Sequence, residues 1–367
     1  MIVEDWAGRA LAALVERVGA TESQVGARFP LYADPEDGRW TTTGRGSWAG
    51  GFWAGLLWLR ARYTGAVADR AAAMECTARL APWAEADTAT RGLILWYGTA
   101  LATDDHEAEA GAIRRAAAEA CLLAHDPALG LVPWGDAFGG PRLLARADAV
   151  PGMLSLLATA APGGAKAAAA HLHQHLDLCL GGLAEGRWPA PAWQYRPGER
   201  RERWQPLDDP PAGWSRGGAW LLLAVAEALL HPELSLRRPD RLTAAAEQLL
   251  ARGGFLTGPL VPPAEAHRPD GPLDTSAAAI TAVALMKLAG VPGPWADHCS
   301  RRAVAILARL SESHLHHEEA TAPVGRLVDG CYDAGKGLAV RHELVWGTFF
   351  LTLALAALDG HVDLTRV

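Results

Sequence analysis

Cysteine is sparse in this 367-residue chain, with five residues at positions 76, 121, 179, 299 and 331. They are scattered and odd in number, and no Cys-x-x-Cys pair occurs. This argues against a disulfide framework and against a cysteine zinc site, and it leaves buried free thiols of a reducing compartment. Charge of one sign is also lacking. Charged residues make up 20 % of the chain, the net charge is −7, and no basic stripe is present, so nucleic acid is not an expected partner. Apolar runs long enough to span a bilayer without a charge, Gly or Pro are missing, so no membrane partner is expected. The first residues, Met1–Trp6, have neither the basic start nor the apolar stretch of a secretory signal, and a cytoplasmic location is expected. Extended runs rich in Val, Ile and Thr are nearly absent, which excludes an α/β sandwich of helices on a large sheet.

What remains is a chain half hydrophobic, rich in alanine and leucine, with fifteen tryptophans against five tyrosines and six phenylalanines. Alanine and leucine favour helices. Apolar residues recur at three- and four-residue spacing over Glu4–Val18, Gly51–Tyr63, Arg70–Trp83, Gly92–Ala102, Ala108–Ala124, Ala147–Ala160, Ala165–Leu183, Gly217–Leu230, Arg241–Ala251, Ser276–Leu288, Trp295–Leu310 and Leu344–Leu358. This predicts twelve helices. Short turns such as Tyr63–Asp69 and Thr103–Glu107 alternate with long connections: Glu22–Gly50, Asp126–Arg146, Glu185–Arg216, Gly253–Thr275 and Ser311–Glu343. Helices joined alternately by short and long loops suggest hairpins set around a ring, with the long loops gathered on one face. The expected fold class is all-α, an (α/α)6 barrel or six-hairpin toroid, with residues 1–367 forming a single domain. Loops of this length in a compact fold usually carry function.

The segment Gly213–Trp220 places two tryptophans and Arg216 on a glycine-rich turn that runs straight into an apolar helix. Arg offers a fork for a carboxylate, and Trp a face for the apolar side of a ring. A similar design occurs at Ser47–Trp58 and more weakly at Trp346–Leu351. The excess of tryptophan favours a cleft that stacks sugars or other rings.

These segments carry a resemblance. Trp48–Trp58 looks like the tryptophan-rich start of the unsaturated glucuronyl hydrolases, glycoside hydrolase family 88, and of the related unsaturated rhamnogalacturonyl hydrolases. Trp214-Ser-Arg216-Gly-Gly-Ala-Trp220 is similar to that family's W-x-R-G-Q-A-W. The stretch starting at Asp274 resembles its D-x-S-A-A-A-I, and Val345–Leu351 its Y-G-D-Y-Y-F-L. The four occur in family order over roughly residues 40–356, and the family's (α/α)6 barrel agrees with the helix reading. The resemblance implies that Asp148 is the general acid and base. It would protonate C4 of an unsaturated uronic acid, water would add at C5, and the hemiketal would open to release the neighbouring sugar. One carboxyl kept protonated by apolar burial would serve, and Ala147, Ala149, Val150 and Met153 flank it. The alternative role for Asp148 is a helix N-cap.

Arg216 is the candidate for the substrate carboxylate, its alternative being a structural ion pair. Trp48, Trp134, Trp214 and Trp220 are candidate ring platforms or core residues, and Gln205 a candidate polar contact. The chain departs from the family at Thr90, where the resemblance implies a second aspartate, and at Ala264–Ala266, where it implies W-D-F. Asp87 is three residues from Thr90. His171, His173 and His175, and the group around His314, His316 and His317, do not have metal-ligand spacing on a helix or loop. Gly44–Gly46 and Gly217–Gly218 are not phosphate-binding turns, because no strand precedes them. No cofactor or metal is therefore expected. The expected partner is a small, ring-containing molecule. The alternatives are the same scaffold reused to tailor a small metabolite, which the Thr90 departure favours, and a non-catalytic binding protein.

Overall fold

The computed structural model describes residues 4–182, 186–198, 203–316 and 324–367, and the side chains from Trp6 onward within them. The Ala- and Leu-rich stretches wind into helices α1 (Glu4–Val25), α2 (Gly50–Thr64), α3 (Val67–Ala78), α4 (Ala100–Asp104), α5 (Ala108–Ala124), α6 (Met153–Ala158), α7 (Gly164–Leu180), α8 (Ser215–Leu230), α9 (Pro239–Arg252), α10 (Thr275–Ala289), α11 (Ala296–Ser313) and α12 (Val345–Leu358).

Two kinds of helix alternate, and their sequences differ accordingly. α8, α10 and α12 are apolar around most of their circumference and buried along nearly their whole length. α9 and α11 bury one stripe each, Leu242, Ala245, Ala246, Leu249 and Leu250 on the first, and Cys299, Ala303, Ile306, Leu307 and Leu310 on the second. A helix wrapped by others needs apolar residues all round, while a helix with a wet face needs only a stripe. Neighbours in sequence pack as pairs: α2 on α3, α6 on α7, α8 on α9 and α10 on α11. The largely buried elements also contact one another in a closed cycle. α2 meets a π-helical segment (Gly92–Trp96), which meets α6, then α8, α10 and α12, and α12 returns to α2. Where these elements converge, Phe52, Tyr97, Trp220, Phe349 and Phe350 pack ring against ring with centroids 5.1–6.3 Å apart. A buried carboxylate lies beside them. Glu227 Oε1 accepts from the Tyr97 hydroxyl (2.6 Å) and Oε2 from the Gly152 N–H (3.0 Å).

Several helix limits differ from the sequence pattern. α1 runs on to Val25. The stretch 92–102 is broken: a π-helical segment comes first, then a turn, then α4. The backbone of α2 presses on this segment so closely that a Cβ on Gly51 would lie 2.3 Å from the carbonyl oxygens of Leu93 and Ile94. The stretch 147–160 is split into a 3-10 turn (Ala147–Ala149) and α6. Pro151 has no N–H to continue a helix, and Gly152 turns the chain at φ +69°, a conformation open to glycine.

The long connections hold short strands that helical periodicity does not reveal. β1 (Phe29–Ala33), β2 (Trp40–Thr43), β6 (Gly330–Asp333) and β7 (Leu338–Leu344) form an antiparallel sheet in the order β2-β1-β7-β6, with Tyr32 opposite Leu344. β3 (Leu144–Arg146), β4 (Ala192–Tyr195) and β5 (Trp204–Pro206) form a second, with Arg146 opposite Ala192. Each runs only three to seven residues, too short to register as alternation beside long helices. A buried ion pair, Arg17 to Glu343 at 2.7 Å, fastens the first sheet to α1. Among the described residues, no helix is long and apolar enough to cross a membrane.

Candidate active site

The strands and the helix entrances beside them enclose a cleft of about 400 Å³. Asp148, Trp48, Trp134, Trp214, Arg216 and Trp220 all line it, together with Thr90 and Ala264. Segments from Ser47 to Lys336 thus meet in one place. Gln205 is not among the lining residues; it sits on β5 opposite Gln194 of β4.

Asp148 occupies the 3-10 turn between β3 and α6. It does not cap α6, whose N-cap is Gly152. Its neighbours Ala147, Ala149, Val150 and Met153 are buried in the core. The carboxylate turns the other way, onto the guanidinium of Arg146, with Nε to Oδ1 at 3.0 Å and the second nitrogen to Oδ2 at 2.9 Å. The expected apolar surround is therefore replaced by a two-point ion pair. Arg146 ends β3 and Asp148 lies in the turn that follows, and both line the cleft. Burial opposes the Arg146 charge, but Asp148, with more distant help from Asp209 and Tyr332, holds its pKa above the usual value. The other side of the guanidinium lies over the Trp134 ring, 4.5 Å from its centroid.

Arg216 takes the structural alternative. It is 2 % exposed. One terminal nitrogen donates to Asp274 Oδ2, to Ser276 Oγ (3.2 Å) and to the Cys331 carbonyl (2.7 Å), and the other donates to the Tyr332 carbonyl (2.7 Å). Trp214 packs on the guanidinium at 4.9 Å. Asp274 has a second task, since its Oδ1 accepts from the Ser276 N–H (3.0 Å) and hydroxyl (2.6 Å) and caps α10. Arg216 thus joins α8, α10 and β6 and does not present an open fork to a ligand.

The tryptophans divide by depth. Trp220 is 1 % exposed and forms the floor. Trp48 donates to the Tyr332 hydroxyl at 3.0 Å and packs on Trp346 at 4.7 Å. Trp134 and Trp214 are part-exposed walls. Thr90 is buried, its hydroxyl 2.9 Å from that of Thr88. Asp87 pairs with Arg142 on the surface and does not line the cleft, so no carboxylate takes the place of Thr90.

Sequence reasoning missed the polar rim. Lys336, in the turn between β6 and β7, pairs with Asp209 (2.7 Å) and Asp333 (2.9 Å) across the mouth. The Asp209 hydrogen bond, then that of Asp333, raises the Lys336 pKa. Glu265 is buried and held by His267 (3.3 Å) and Arg268 (3.2 Å). The run Asp333–Gly337, an acidic residue and a lysine between glycines, has the composition of a hairpin turn, and that signal could have located Lys336.

The histidine run has a structural task. His171 on α7 is fully buried; Nδ1 accepts from the Val132 N–H (3.1 Å) and Nε2 donates to the Ala149 carbonyl (3.2 Å). It pins the loop of Trp134 to the turn of Asp148. Burial pushes its pKa well below the usual value, and that of His175 down to about 4. Among the described residues, no cluster of His, Cys, Asp and Glu has an arrangement that could hold a metal ion. His314 pairs with Asp329 at 2.9 Å, while His317 lies outside the described residues. All five cysteines are free and buried.

No protein-family profile matches the chain, and no curated protein matches it. Solved structures do. A UGL variant with dGlcA-Glc-Rha-Glc superposes with a TM-score of 0.81 at 19 % identity, covering 96 % of both chains. The unsaturated glucuronyl hydrolase of Bacillus sp. GL1, described as responsible for degradation of glycosaminoglycan, gives 0.79 at 19 %, over 96 % of this chain and 97 % of that one. An unsaturated glucuronyl hydrolase specific for heparin gives 0.78 at 20 %, over 98 % and 99 %. The chain has the fold of these enzymes over nearly its whole length.

Proposed function

We propose that the chain is a single-domain (α/α)6 toroid and a hydrolase of the unsaturated glucuronyl hydrolase type, acting in the cytoplasm on a small cyclic substrate that carries a carboxylate. The closed cycle of buried helices supports the toroid. The observation that carries the function is the convergence of Asp148 with Trp48, Trp134, Trp214 and Trp220 in one cleft on this fold.

In this reading the tryptophans hold the sugar ring, and Asp148 is the acid and base. Arg146 replaces Arg216 as the carboxylate binder, because it is the cation beside Asp148 with part of its side chain still exposed. A substrate carboxylate docking on the Arg146 fork takes over the guanidinium and leaves Asp148 able to carry a proton. Asp148 gives that proton to C4 of the C4=C5 vinyl ether. Water adds at C5 and returns a proton to Asp148. The C5 hemiketal opens to a ketone, leaving C1 as a hemiacetal, which collapses to an aldehyde and releases the neighbouring sugar. No sugar nucleophile is needed, so the spacing of two carboxylates that governs ordinary glycosidases does not apply.

The test is an unsaturated glucuronyl disaccharide, followed by loss of the ultraviolet absorbance of its C4=C5 bond. Turnover that disappears in Asp148→Asn is expected. Absence of turnover by the folded protein refutes the reading. A second reading, a scaffold reused to tailor another ring compound, draws on Thr90, where the cleft holds a hydroxyl and no carboxylate. Failure with the disaccharide, together with tight binding of a different cyclic acid at Arg146, would favour it.

A further inference from the structure

The cleft has a neighbour. On the far side of Trp214 lies a second cavity of about 280 Å³ between α8, α9, α10 and α11. Two chain segments form the partition. Trp214 and Arg216 face the cleft, while Gly213, Ser215 and Gly217 face the cavity; Ala264 and Glu265 face the cleft, while Pro262, Pro263 and Ala266 face the cavity. The segments are bonded to each other by Ser215 N–H to the Ala264 carbonyl (3.0 Å), Ala266 N–H to the Gly213 carbonyl (2.8 Å) and Ser215 Oγ to the Pro263 carbonyl (2.6 Å). The partition is one backbone thick, and the Trp214 side chain belongs to both chambers.

The two chambers differ in chemistry. The cleft carries Asp148, Asp209, Asp333, Arg146 and Lys336. The cavity is walled by Leu221, Leu249, Phe255, Leu260 and Ile306, and six of its lining residues are prolines, which have no N–H to offer. Its hydroxyl and guanidinium side chains are occupied. Ser215 bonds Pro263, Thr281 donates to the Ala277 carbonyl (2.7 Å), and Arg302 turns its donors to the carbonyls of Phe255 (3.1 Å), Gly258 and Pro259 (3.1 Å). A sugar placed there would lose the water on its hydroxyls and gain few partners, which is costly. An apolar ring would lose nothing. At the edge stands Trp188, 46 % exposed and packed on Gly213, a large aromatic face left in water beside an apolar chamber.

We propose that this cavity is a second ligand site, separate from the cleft, for an uncharged molecule of two fused apolar rings. The size follows from volume, since an apolar cavity of roughly 150 Å³ accommodates benzene and this one is nearly twice as large. The site does not depend on the reaction proposed for the cleft, and its test needs no turnover.

The experiment is equilibrium dialysis of the full chain against naphthalene. One saturable site per chain is expected. Ala266→Phe, which places a ring in the cavity, should weaken binding at least about tenfold, and Phe255→Ala, which removes a wall, by a factor of about five to ten. Neither residue lines the cleft, so binding among its tryptophans would be unchanged by both variants. Circular dichroism establishes that each variant is folded, and if one is not, the other decides. Absence of binding, unsaturable uptake, or equal binding by the wild type and the folded variants overturns the proposal.

Discussion

Arg216→Met separates the two roles that the sequence leaves open for this arginine. The guanidinium and the Asp274 carboxylate are 3 % and 0 % exposed, so water cannot replace either partner. Methionine keeps much of the apolar stem against Trp214 but removes every donor. Asp274 then holds a charge answered only by Ser276 and Ala277, and the carbonyls of Cys331 and Tyr332 lose their donors. Breaking a buried pair from one side costs about 3–5 kcal/mol, and this loss is expected in urea unfolding followed by far-ultraviolet circular dichroism. Asp274→Asn should cost a similar amount, because it strands the arginine and weakens the α10 cap. The double variant strands neither charge, so its cost should fall below the sum of the singles by about 2 kcal/mol. An Arg216→Met protein within about 0.5 kcal/mol of wild type, a range usual for surface positions, would refute the structural assignment and return Arg216 to the list of ligand-binding groups.

Glu227→Ala leaves the Tyr97 hydroxyl and the Gly152 N–H without an acceptor, and a loss of about 2–5 kcal/mol is expected in the same unfolding measurement. Acid should destabilise the chain through His171 and His175. Both have folded pKa values below the usual 6.5 because burial disfavours the charged ring, His175 at about 4. Between those values the unfolded chain binds protons that the folded chain does not, so stability is complete above the window and falls as pH drops through it; urea midpoints from neutral to acid pH should show this slope, reduced in His175→Gln. Ellman's reagent should find no reactive thiol in the native protein within minutes and all five after denaturation, since Cys76, Cys121, Cys179, Cys299 and Cys331 are buried and burial raises their thiols to about 11–12.

The helices were legible because α9 and α11 repeat apolar residues on one stripe, and α8, α10 and α12 are long apolar runs rich in Ala and Leu. Where tertiary contacts decide, the pattern misleads. Residues 92–102 read as one helix, but the approach of Gly51 coincides with a π-helical segment and a break. The strands went unseen because runs of three to seven residues scarcely establish a period beside long helices. The cleft was half visible. Trp48, Trp134, Asp148, Trp214 and Trp220 stand in segments whose composition draws notice. Arg146, Tyr332 and Lys336 do not, since their meeting depends on the pairing of β6 with β7 and of β3 with β4. Arg216 was found, but the sequence could not choose between its two possible duties. Its partners lie about sixty and over one hundred residues further along the chain, a separation that no local motif encodes.

Asp274 answers Arg216 with one oxygen and starts α10 with the other. The Trp–Ser–Arg–Gly turn and the Asp–Thr–Ser–Ala turn are therefore two halves of one joint, which ties α8 to α10 whatever the cleft holds. A lineage can keep such a joint while exchanging Thr90, Ala264 or the Lys336 rim one residue at a time. Two chains that share these turns share a way of fastening hairpins, and their appetites for substrate are written in the loops around them.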